Sequence, residues 1–223
     1  MDLWEDLRLG SKIFQLTIET IEEENCTNST IEFSYLHSSS NINISIQDIL
    51  TPADCSPGQA PAKSTVDIGN LAPGFYELDI DLKNTIFNKG QLTVTDSRFT
   101  IDMNSDDGIS FLRRELLRIP NQTIWGYIGF HNSSDAIIAL NFTQELEAIS
   151  STRSLEKGYY GHFNINSDGK LNMEHPFDAN QSRTFFHEFN GEDTALQNLV
   201  DTYRTDYGDA IEIKLFNSEG KEF

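Results

Sequence analysis

The sequence predicts two domains, an antiparallel β-sandwich followed by an α+β domain, and three observations support this prediction. Up to about residue 103, apolar and polar residues alternate with a period of two, which is typical of half-buried strands. Beyond the polar segment Asn104–Gly108, the spacing changes to that of amphipathic helices between strands. The length of 223 residues suits one large or two small domains, so we predict domains at 1–104 and 105–223.

Seven short strands are predicted in the first domain. Each is recognised by alternation, as where Phe14, Leu16 and Ile18 alternate with polar residues. Short half-buried strands separated by turn residues indicate two antiparallel sheets packed face to face. By their apolar residues, the strands lie at 14–18, 31–35, 42–46, 66–68, 76–82, 92–94 and 99–103.

The stretch GNLAPGFYELDI, Gly69 to Ile80, carries the pattern Leu-x-Pro-Gly-x-Tyr in Leu71, Pro73, Gly74 and Tyr76. Pro and Gly make a turn, and Tyr opens an inward-facing strand. The pattern resembles the carboxypeptidase-regulatory and transthyretin-like modules of extracellular bacterial β-sandwiches, over these twelve residues only. The resemblance implies an immunoglobulin-like or transthyretin-like sandwich on an exported protein that binds protein or carbohydrate, and it implies no catalytic residue.

The second domain is predicted to begin with a helix, capped by Asp106 or Asp107 and ended by Pro120, with Ile109, Leu112 and Leu116 on one face. From Thr123 the order strand, helix, strand, strand, helix, strand fits a ferredoxin-like sheet with both helices on one face. These later elements are Thr123–His131, a helix capped by Ser134 or Asp135, GYYGHFNI, RTFFHEF, a helix capped by Asp193, and AIEIKLFN.

The two faces of this predicted sheet differ in composition. The face toward the helices is predicted to carry Ile124, Ile128, Ile211, Ile213 and Leu215. A mixed aromatic and polar face either binds a ligand or, as we prefer, docks on a neighbouring domain. The residues of this candidate face are Trp125, Tyr127, His131, Tyr160 and His162.

The only two cysteines, Cys26 and Cys55, lie in turn-rich polar surroundings, whereas buried free cysteines usually lie in apolar runs. We therefore predict a disulfide between them, which would close a loop of about 30 residues and add about 3 kcal/mol of stability. Such bonds persist in oxidising compartments. The disulfide therefore favours an extracytoplasmic location, in the periplasm or at the cell surface.

The charge of the chain restricts its partners. Lys and Arg number 16 and Asp and Glu 35, which gives a net charge of −19 spread over both halves. An evenly acidic surface repels phosphate backbones and anionic membranes, so we expect no nucleic-acid partner. The sequence contains no run of about 18 apolar residues that would span a membrane. The acidic N-terminal stretch has no signal-peptide pattern, so either the protein is cytosolic or, as we prefer, its leader has been removed.

The stretch NINSDGKLNMEH, Asn164 to His175, resembles a calcium loop in its oxygen-bearing side chains. Asn164, Asn166 and Asp168 are weak candidate metal ligands, since only Asp168 is a carboxylate and position 12 is His175 in place of a bidentate Glu. Asp-Gly in a polar turn is a strong hairpin signal. We therefore predict a β-hairpin and no metal site.

Two functional hypotheses from different classes remain, because no catalytic motif is recognisable. The first is a non-catalytic binding or adhesion module of a bacterial cell envelope, such as a lipoprotein, with a protein or glycan ligand and no cofactor. The alternative is a small hydrolase-type enzyme that uses His and Asp or Glu residues of the second domain. We prefer the first hypothesis, since spread acidity and an extracellular-type sandwich require no active site.

Overall fold

The structure is a computed structural model that describes residues 1–8, 10–173 and 181–223. His175, at position 12 of the calcium-loop comparison, lies outside the described residues. The described chain is mostly β, and its internal contacts divide it into two compact units. The first unit comprises residues 1–6 and 12–118, and the second comprises residues 7–11 and 119–223.

The first unit is built from nine strands in two sheets. One sheet has the order β1-β2-β5 and the other the order β3-β4-β6-β7-β8-β9. The strands are β1 (Asp2–Arg8), β2 (Ser11–Cys26), β3 (Thr30–Ser38), β4 (Asn41–Leu50), β5 (Pro57–Gly69), β6 (Gly74–Leu82), β7 (Ile86–Val94), β8 (Arg98–Met103) and β9 (Glu115–Leu117). All seven predicted strands are confirmed, as β2 to β8.

The core of the first unit lies between the two sheets. Alternate residues of β2 point inward, and the ring of Phe14 stacks on that of Phe99 in β8 with centroids 4.4 Å apart. This contact joins the faces of the two sheets. The core residues contributed by β4, β6, β7 and β8 are Ile42, Ile44, Leu78, Ile80, Leu92, Val94, Phe99 and Ile101.

The sheets are not wholly antiparallel, because β4 and β6 pair in parallel. The chain leaves β4, crosses to the other sheet to form β5, and returns to form β6 beside β4. Parallel neighbours require such a crossover connection. The sequence pattern marks each strand but contains no signal for this change of sheet.

Two strands of the first unit, β1 and β9, were not predicted. In β1 the inward positions are Leu3, Glu5 and Leu7, and the charged Glu5 hides the alternation. Glu5 is only 2% exposed, and its carboxylate accepts a hydrogen bond from Nε of Arg118 at 2.9 Å. Buried charges are tolerated when they are paired in this way.

The predicted helix with Ile109, Leu112 and Leu116 on one face is wrong. This segment is extended or turning, and β9 pairs with β8. The main chain of the segment is already used, since the carbonyl of Ser110 accepts from Met1 N and the amide of Leu112 donates to Met1 O. The apolar spacing matched a helix, but these bonds to a distant strand replace the helical ones.

The second unit contains a four-stranded sheet of order β11-β15-β10-β16 and a small sheet of order β12-β13-β14. The strand β10 pairs antiparallel with β15 and β16. The elements are β10 (Thr123–Phe130), α1 (Ala136–Ile149), β11 (Ser151–Thr152), β12 (Gly158–Tyr159), β13 (Asn164–Ile165), β14 (Leu171–Asn172), β15 (Gln181–Glu188), α2 (Asp193–Tyr207) and β16 (Ile211–Asn217). No described helix has both the length and the apolarity needed to cross a bilayer.

One face of the four-stranded sheet packs against α1 and α2. Phe142 of α1 contacts the ring of Phe185 in β15 and that of Tyr203 in α2, at centroid distances of 5.8 Å and 5.2 Å. The predicted inward residues are confirmed, because all of them belong to one buried cluster with both helices. These residues are Ile124, Ile128, Ile211, Ile213 and Leu215.

The predicted domain limits, 1–104 and 105–223, stay a prediction. In the contacts of the described chain, residues 105–118 belong with the first unit. The buried side chain of Asn88 in β7 holds this segment, because it donates to the carbonyl of Asp107 at 2.9 Å and accepts from its amide at 2.8 Å.

Candidate binding groove of the first unit

The strand β2 is much longer than its neighbour β1. β1 has seven residues and β2 sixteen, and β1 ends at Arg8, only three positions before β2 begins at Ser11. Strands joined so closely pair antiparallel, so β1 reaches no further than about residue 18 of β2. On its other side β2 pairs with β5 as far as Cys26 opposite Pro57. We call β2 from Glu19 to Cys26, with its partner β5 from Pro57 to Lys63, the arm.

One edge of β2 in the arm is not covered by a strand. The sheet is β1-β2-β5, so β1 and β5 are the neighbours of β2 among the described strands. From Thr20 to Asn25, therefore, the main-chain groups on this edge have no ladder partner within this sheet, and on the other edge Glu23 and Glu24 pair with β5 between two register irregularities. An unpaired row of N–H and C=O groups is a template for another strand.

The end of the arm is fixed by covalent and hydrogen bonds. The predicted disulfide between Cys26 and Cys55 is confirmed, with Cα atoms 5.5 Å apart. Beside it, the side chain of Asn28 accepts from the amide of Ser56 at 2.9 Å and donates to the carbonyl of Asp54 at 3.2 Å. These bonds connect the end of β2 to the start of β5, so the free edge is held in an extended form.

A groove of 520 Å³ lies along the arm. Four segments of several residues line it: the arm with the adjoining Ile18, the end of β4, the turn between β6 and β7, and the segment around Gly108. Two single residues, Met1 and Ile31 of β3, complete the lining. Its apolar lining is aliphatic and consists of Ile18, Ile21, Ile31, Ile46, Ile49, Leu82, Ile86 and Ile109. Ile21 is 87% exposed and Ile86 is 37% exposed, so part of this apolar surface faces solvent.

The floor of the groove depends on a glycine. Gly108 has a φ of +71°, which favours glycine, and a Cβ here would lie 2.7 Å from Cδ1 of Leu82 and 3.4 Å from Cδ1 of Ile86. The same segment is held by the bonds of Asn88 to Asp107. Its backbone therefore approaches the groove closely at a fixed position.

The rim of the groove is acidic. Glu19, Glu22 and Glu24 of β2 and Asp48 of β4 belong to the lining. Lys83 is the one basic side chain among the described lining residues, and its Nζ lies 3.0 Å from Asp48. This hydrogen bond, with that of the Ile49 amide, holds the pKa of Asp48 below its usual value. The N-terminal ammonium of Met1 also belongs to the lining and interacts with Glu19, so Glu22 and Glu24 are the carboxylates of β2 that no cation of the described lining neutralises.

The candidate face predicted in the second unit is divided between buried and exposed positions. Trp125 is 2% exposed, and Tyr127 and Tyr160 are also buried, whereas His162 is half-buried and His131 is exposed. The ring of Trp125 packs 5.3 Å from that of Phe163, just before β13. The segment of β12 to β14 therefore covers this part of the sheet. A ligand-binding or docking role for the five residues stays a prediction.

The predicted hairpin at NINSDGKLNMEH is confirmed over its described part, because β13 and β14 pair antiparallel with Ile165 opposite Leu171. Gly169 takes a φ of +73° in the turn. The Oδ1 atom of Asn166 accepts from the amides of Asp168 at 3.0 Å and Lys170 at 2.9 Å. The side chain that resembled a metal ligand therefore organises the turn.

Two ionisable residues of the second unit, of the types that the enzyme hypothesis requires, are His187 and Glu188. His187 and Glu188 are consecutive on β15, so their side chains point to opposite faces of the sheet. The carboxylate of Glu188 accepts from Arg153 at 2.9 Å and from Asn190 at 3.2 Å, and these bonds lower its pKa. Within the part of the chain that the structure describes, no three His, Cys, Asp or Glu residues are grouped to hold a metal.

The groove itself was not predicted from the sequence. One signal was available, because continued alternation from Phe14 to Ile18 places Ile21 out of phase and toward solvent, within an acidic run. An exposed isoleucine among glutamates is an unusual surface for a solvated strand. The other three lining segments are short and carry no motif.

Searches with family models, curated proteins and solved structures found no match to this chain.

Proposed function

We propose that this chain is a non-catalytic, protein-binding module of an exported bacterial cell-envelope protein, and that the groove is its binding site. The observation that carries the proposal is an aliphatic groove of 520 Å³ beside a strand edge without a neighbour. Exposed apolar surface with a polar rim is typical of protein-interaction sites.

The lining favours a protein over a glycan as the ligand. Sugars present many hydroxyl groups, which need convergent amide, hydroxyl and carboxylate partners. Besides the carboxylates of the rim and the hydroxyls of Thr20, Thr85 and Ser110, the groove offers one amide side chain, Gln47, and eight aliphatic side chains, and its described lining contains no aromatic ring on which a sugar could stack. An aliphatic surface of this kind suits the apolar side chains of a polypeptide.

The disulfide supports an extracytoplasmic location. A bond between Cys26 and Cys55 persists in oxidising compartments, and Cys55 is exposed to the redox conditions around the protein. The evenly acidic composition, with a net charge of −19, is consistent with a partner that is neither nucleic acid nor anionic membrane.

We also propose a two-domain layout in which the second unit is ferredoxin-like and supports the binding unit. The strand order β16-β10-β15-β11 supports this, since in chain order it reads fourth, first, third, second, with α1 and α2 packed into one cluster. The second strand is only two residues long, which makes this sheet an incomplete example.

The experiment that tests the binding role compares two neighbouring residues of β7. Ile86 lines the groove, whereas Phe87 is 64% exposed and does not belong to the lining. Consecutive strand residues point to opposite faces, so Ile86→Glu and Phe87→Glu are matched changes of charge and polarity. Both variants and the wild-type chain are exposed to a phage library of random nine-residue peptides, after circular dichroism has shown that each is folded.

We expect peptides that bind the wild type and the Phe87→Glu variant but bind the Ile86→Glu variant at least about tenfold more weakly, because a buried charge is costly to desolvate. If no peptide discriminates between these two variants, the groove is not a protein-binding site and the proposal fails.

A further inference from the structure

We propose that the groove binds an extended, basic segment of a partner protein, which pairs through its main chain with the free edge of β2. This inference rests on the proposed function and adds the conformation and the charge of the ligand. The incoming segment alternates apolar residues, which enter the groove, with Lys or Arg residues near the carboxylates of the rim.

The free edge has the length of an ordinary strand. From Thr20 to Asn25 it offers six residues, which span about 20 Å in an extended chain. On the opposite edge, Glu23 pairs with Pro61 and Glu24 with Ala60 of β5, between register irregularities at Glu19/Glu23 and Glu24/Cys26. The centre of the arm is therefore held beside β5 before any partner arrives.

The arm protects one of its edges and leaves the other open. Natural sheets commonly block exposed edges with proline or lysine. In the arm, β5 carries Pro57, Pro61 and Lys63, whereas β2 from Thr20 to Asn25 contains neither residue type. The distribution of prolines thus leaves the groove side available for pairing.

The charge of the rim selects a basic segment. Glu19, Glu22 and Glu24 belong to the lining, and the lysine of the lining, Lys83, is paired with Asp48. A segment with Lys or Arg gains from these carboxylates, and an acidic segment is repelled. A second copy of the chain, with its net charge of −19, is a poor occupant for the same reason.

The aliphatic lining completes the pattern. Side chains alternate along a strand, so every second residue of an added segment points toward one side. On the groove side these residues meet Ile21, Ile49 and Ile86. Strand addition of this kind takes affinity from main-chain hydrogen bonds and specificity from the pockets for alternate side chains.

The test uses the nine-residue peptides that depend on Ile86, measured as synthetic peptides by fluorescence anisotropy on the full chain. Each is made with N-methyl groups on one set of alternate residues, and again on the other set. In a strand, one set of amides faces β2 and the other faces away. We expect methylation of the amides that face β2 to weaken binding about tenfold or more. Methylation of the amides that face away should change binding by less than about twofold.

Charge is tested with two neighbouring glutamates of β2. Glu22 lines the groove and Glu23 does not, although both are exposed. We expect Glu22→Lys to weaken the binding of basic peptides about threefold or more at low salt, and Glu23→Lys to change it by less than half as much.

The possible results distinguish a failure of this inference from a failure of the proposed function. If the groove-dependent peptides lack Lys and Arg, or if both methylated sets bind equally well, the inference is overturned while the binding role stands. If the chain self-associates in an Ile86-dependent way without peptide, a second copy is the occupant and the inference is again overturned. If no peptide depends on Ile86, both proposals fail together.

Discussion

Trp125 in the second unit and Ile21 in the first are large apolar residues on β-strands, yet Trp125 is 2% exposed and Ile21 is 87% exposed. Around Trp125, the second unit covers its sheet with α1 and α2 on one face and with the segment of β12 to β14 on the other. Around Ile21, the first unit extends β2 beyond its neighbour and fixes the extension with a disulfide.

This difference shows where to look for function in a molecule without a motif. An aromatic cluster such as that around Trp125 attracts attention in the sequence, but its members pack on one another and stabilise the fold. An isolated isoleucine such as Ile21 attracts little attention, but it is an apolar group that the chain leaves in water beside an unpaired strand edge. The packing around Trp125 and the proposed binding site beside Ile21 thus lie in different units, and this contrast is testable by substitution.

The largest expected effect is that of Trp125→Ala. Removing a buried indole leaves a cavity, and we expect the free energy of unfolding of the second unit to fall by about 4 kcal/mol. Ile21→Ala serves as the control, since an exposed side chain contributes less than about 0.5 kcal/mol. Urea denaturation followed by circular dichroism measures both. If both substitutions lowered the free energy of unfolding equally, Trp125 and Ile21 would not differ in their contribution to stability.

A second substitution tests the buried ion pair between Glu5 of β1 and Arg118. Arg118→Leu leaves the carboxylate of Glu5 buried without its guanidinium partner, and we expect a loss of about 3 kcal/mol. The double variant Glu5→Leu with Arg118→Leu replaces the pair by apolar side chains and should recover most of this loss. Chemical denaturation measures the free energy of unfolding of both variants. If the double variant is no more stable than Arg118→Leu, the unpaired carboxylate of Glu5 is not the cause of the loss.

The disulfide is expected to stabilise the first unit and to hold the arm. Replacing Cys26 and Cys55 with serine should lower the free energy of unfolding by about 2 to 3 kcal/mol, because the unfolded chain regains the entropy of a large loop. Hydrogen exchange followed by mass spectrometry should show that the replacement speeds exchange, relative to the wild type, in residues 20–26 and 57–63 more than in β6 and β7. Uniformly unchanged exchange in the arm would mean that the hydrogen bonds of Asn28 suffice.

A smaller effect is expected at the hairpin that covers Trp125. Asn166→Ala removes two hydrogen bonds to the turn, and we expect a loss of about 1 kcal/mol. Because these bonds organise a turn, addition of calcium should leave the melting temperature of the wild type and of Asp168→Ala unchanged. A calcium-dependent rise that Asp168→Ala abolishes would contradict this interpretation.

The smallest effect is a dependence on pH at His187. Burial lowers its pKa in the folded chain, an effect opposed by Glu147. Its contribution to stability is therefore full above its ordinary pKa of 6.5 and is lost as the pH falls below that value. We expect His187→Gln to flatten the fall in melting temperature between pH 7 and pH 5, which thermal unfolding followed by circular dichroism at both pH values measures.

The sequence predicted the local features of both regions and missed those that depend on distant partners. Alternation identified β2 to β8, and it failed at β1 because Glu5 occupies an inward position and its partner Arg118 is 113 residues away. The helix predicted around Leu112 failed for a related reason, since hydrogen bonds to Met1 keep that segment extended.

The groove could not be predicted from the sequence for a physical reason. Its four lining segments meet only after both sheets have formed, and no local pattern specifies their meeting. The close approach of Gly108 to Leu82 and Ile86 is likewise a property of the folded chain. The disulfide was predictable, in contrast, because the polar surroundings of two cysteines are a local property.

We expect the parallel pairing of β4 with β6 to form late in the folding of the first unit. The pairs β3–β4 and β6–β7 join strands that are adjacent in the chain, so they form early and locally. The pair β4–β6 closes a loop that contains all of β5. The conformational entropy of this loop must be lost before the two strands make their contacts. Cys55 lies inside this loop, between β4 and β5. An oxidised chain that already holds Cys55 at the end of β2 therefore has β5 near its place, and should fold faster than the reduced chain.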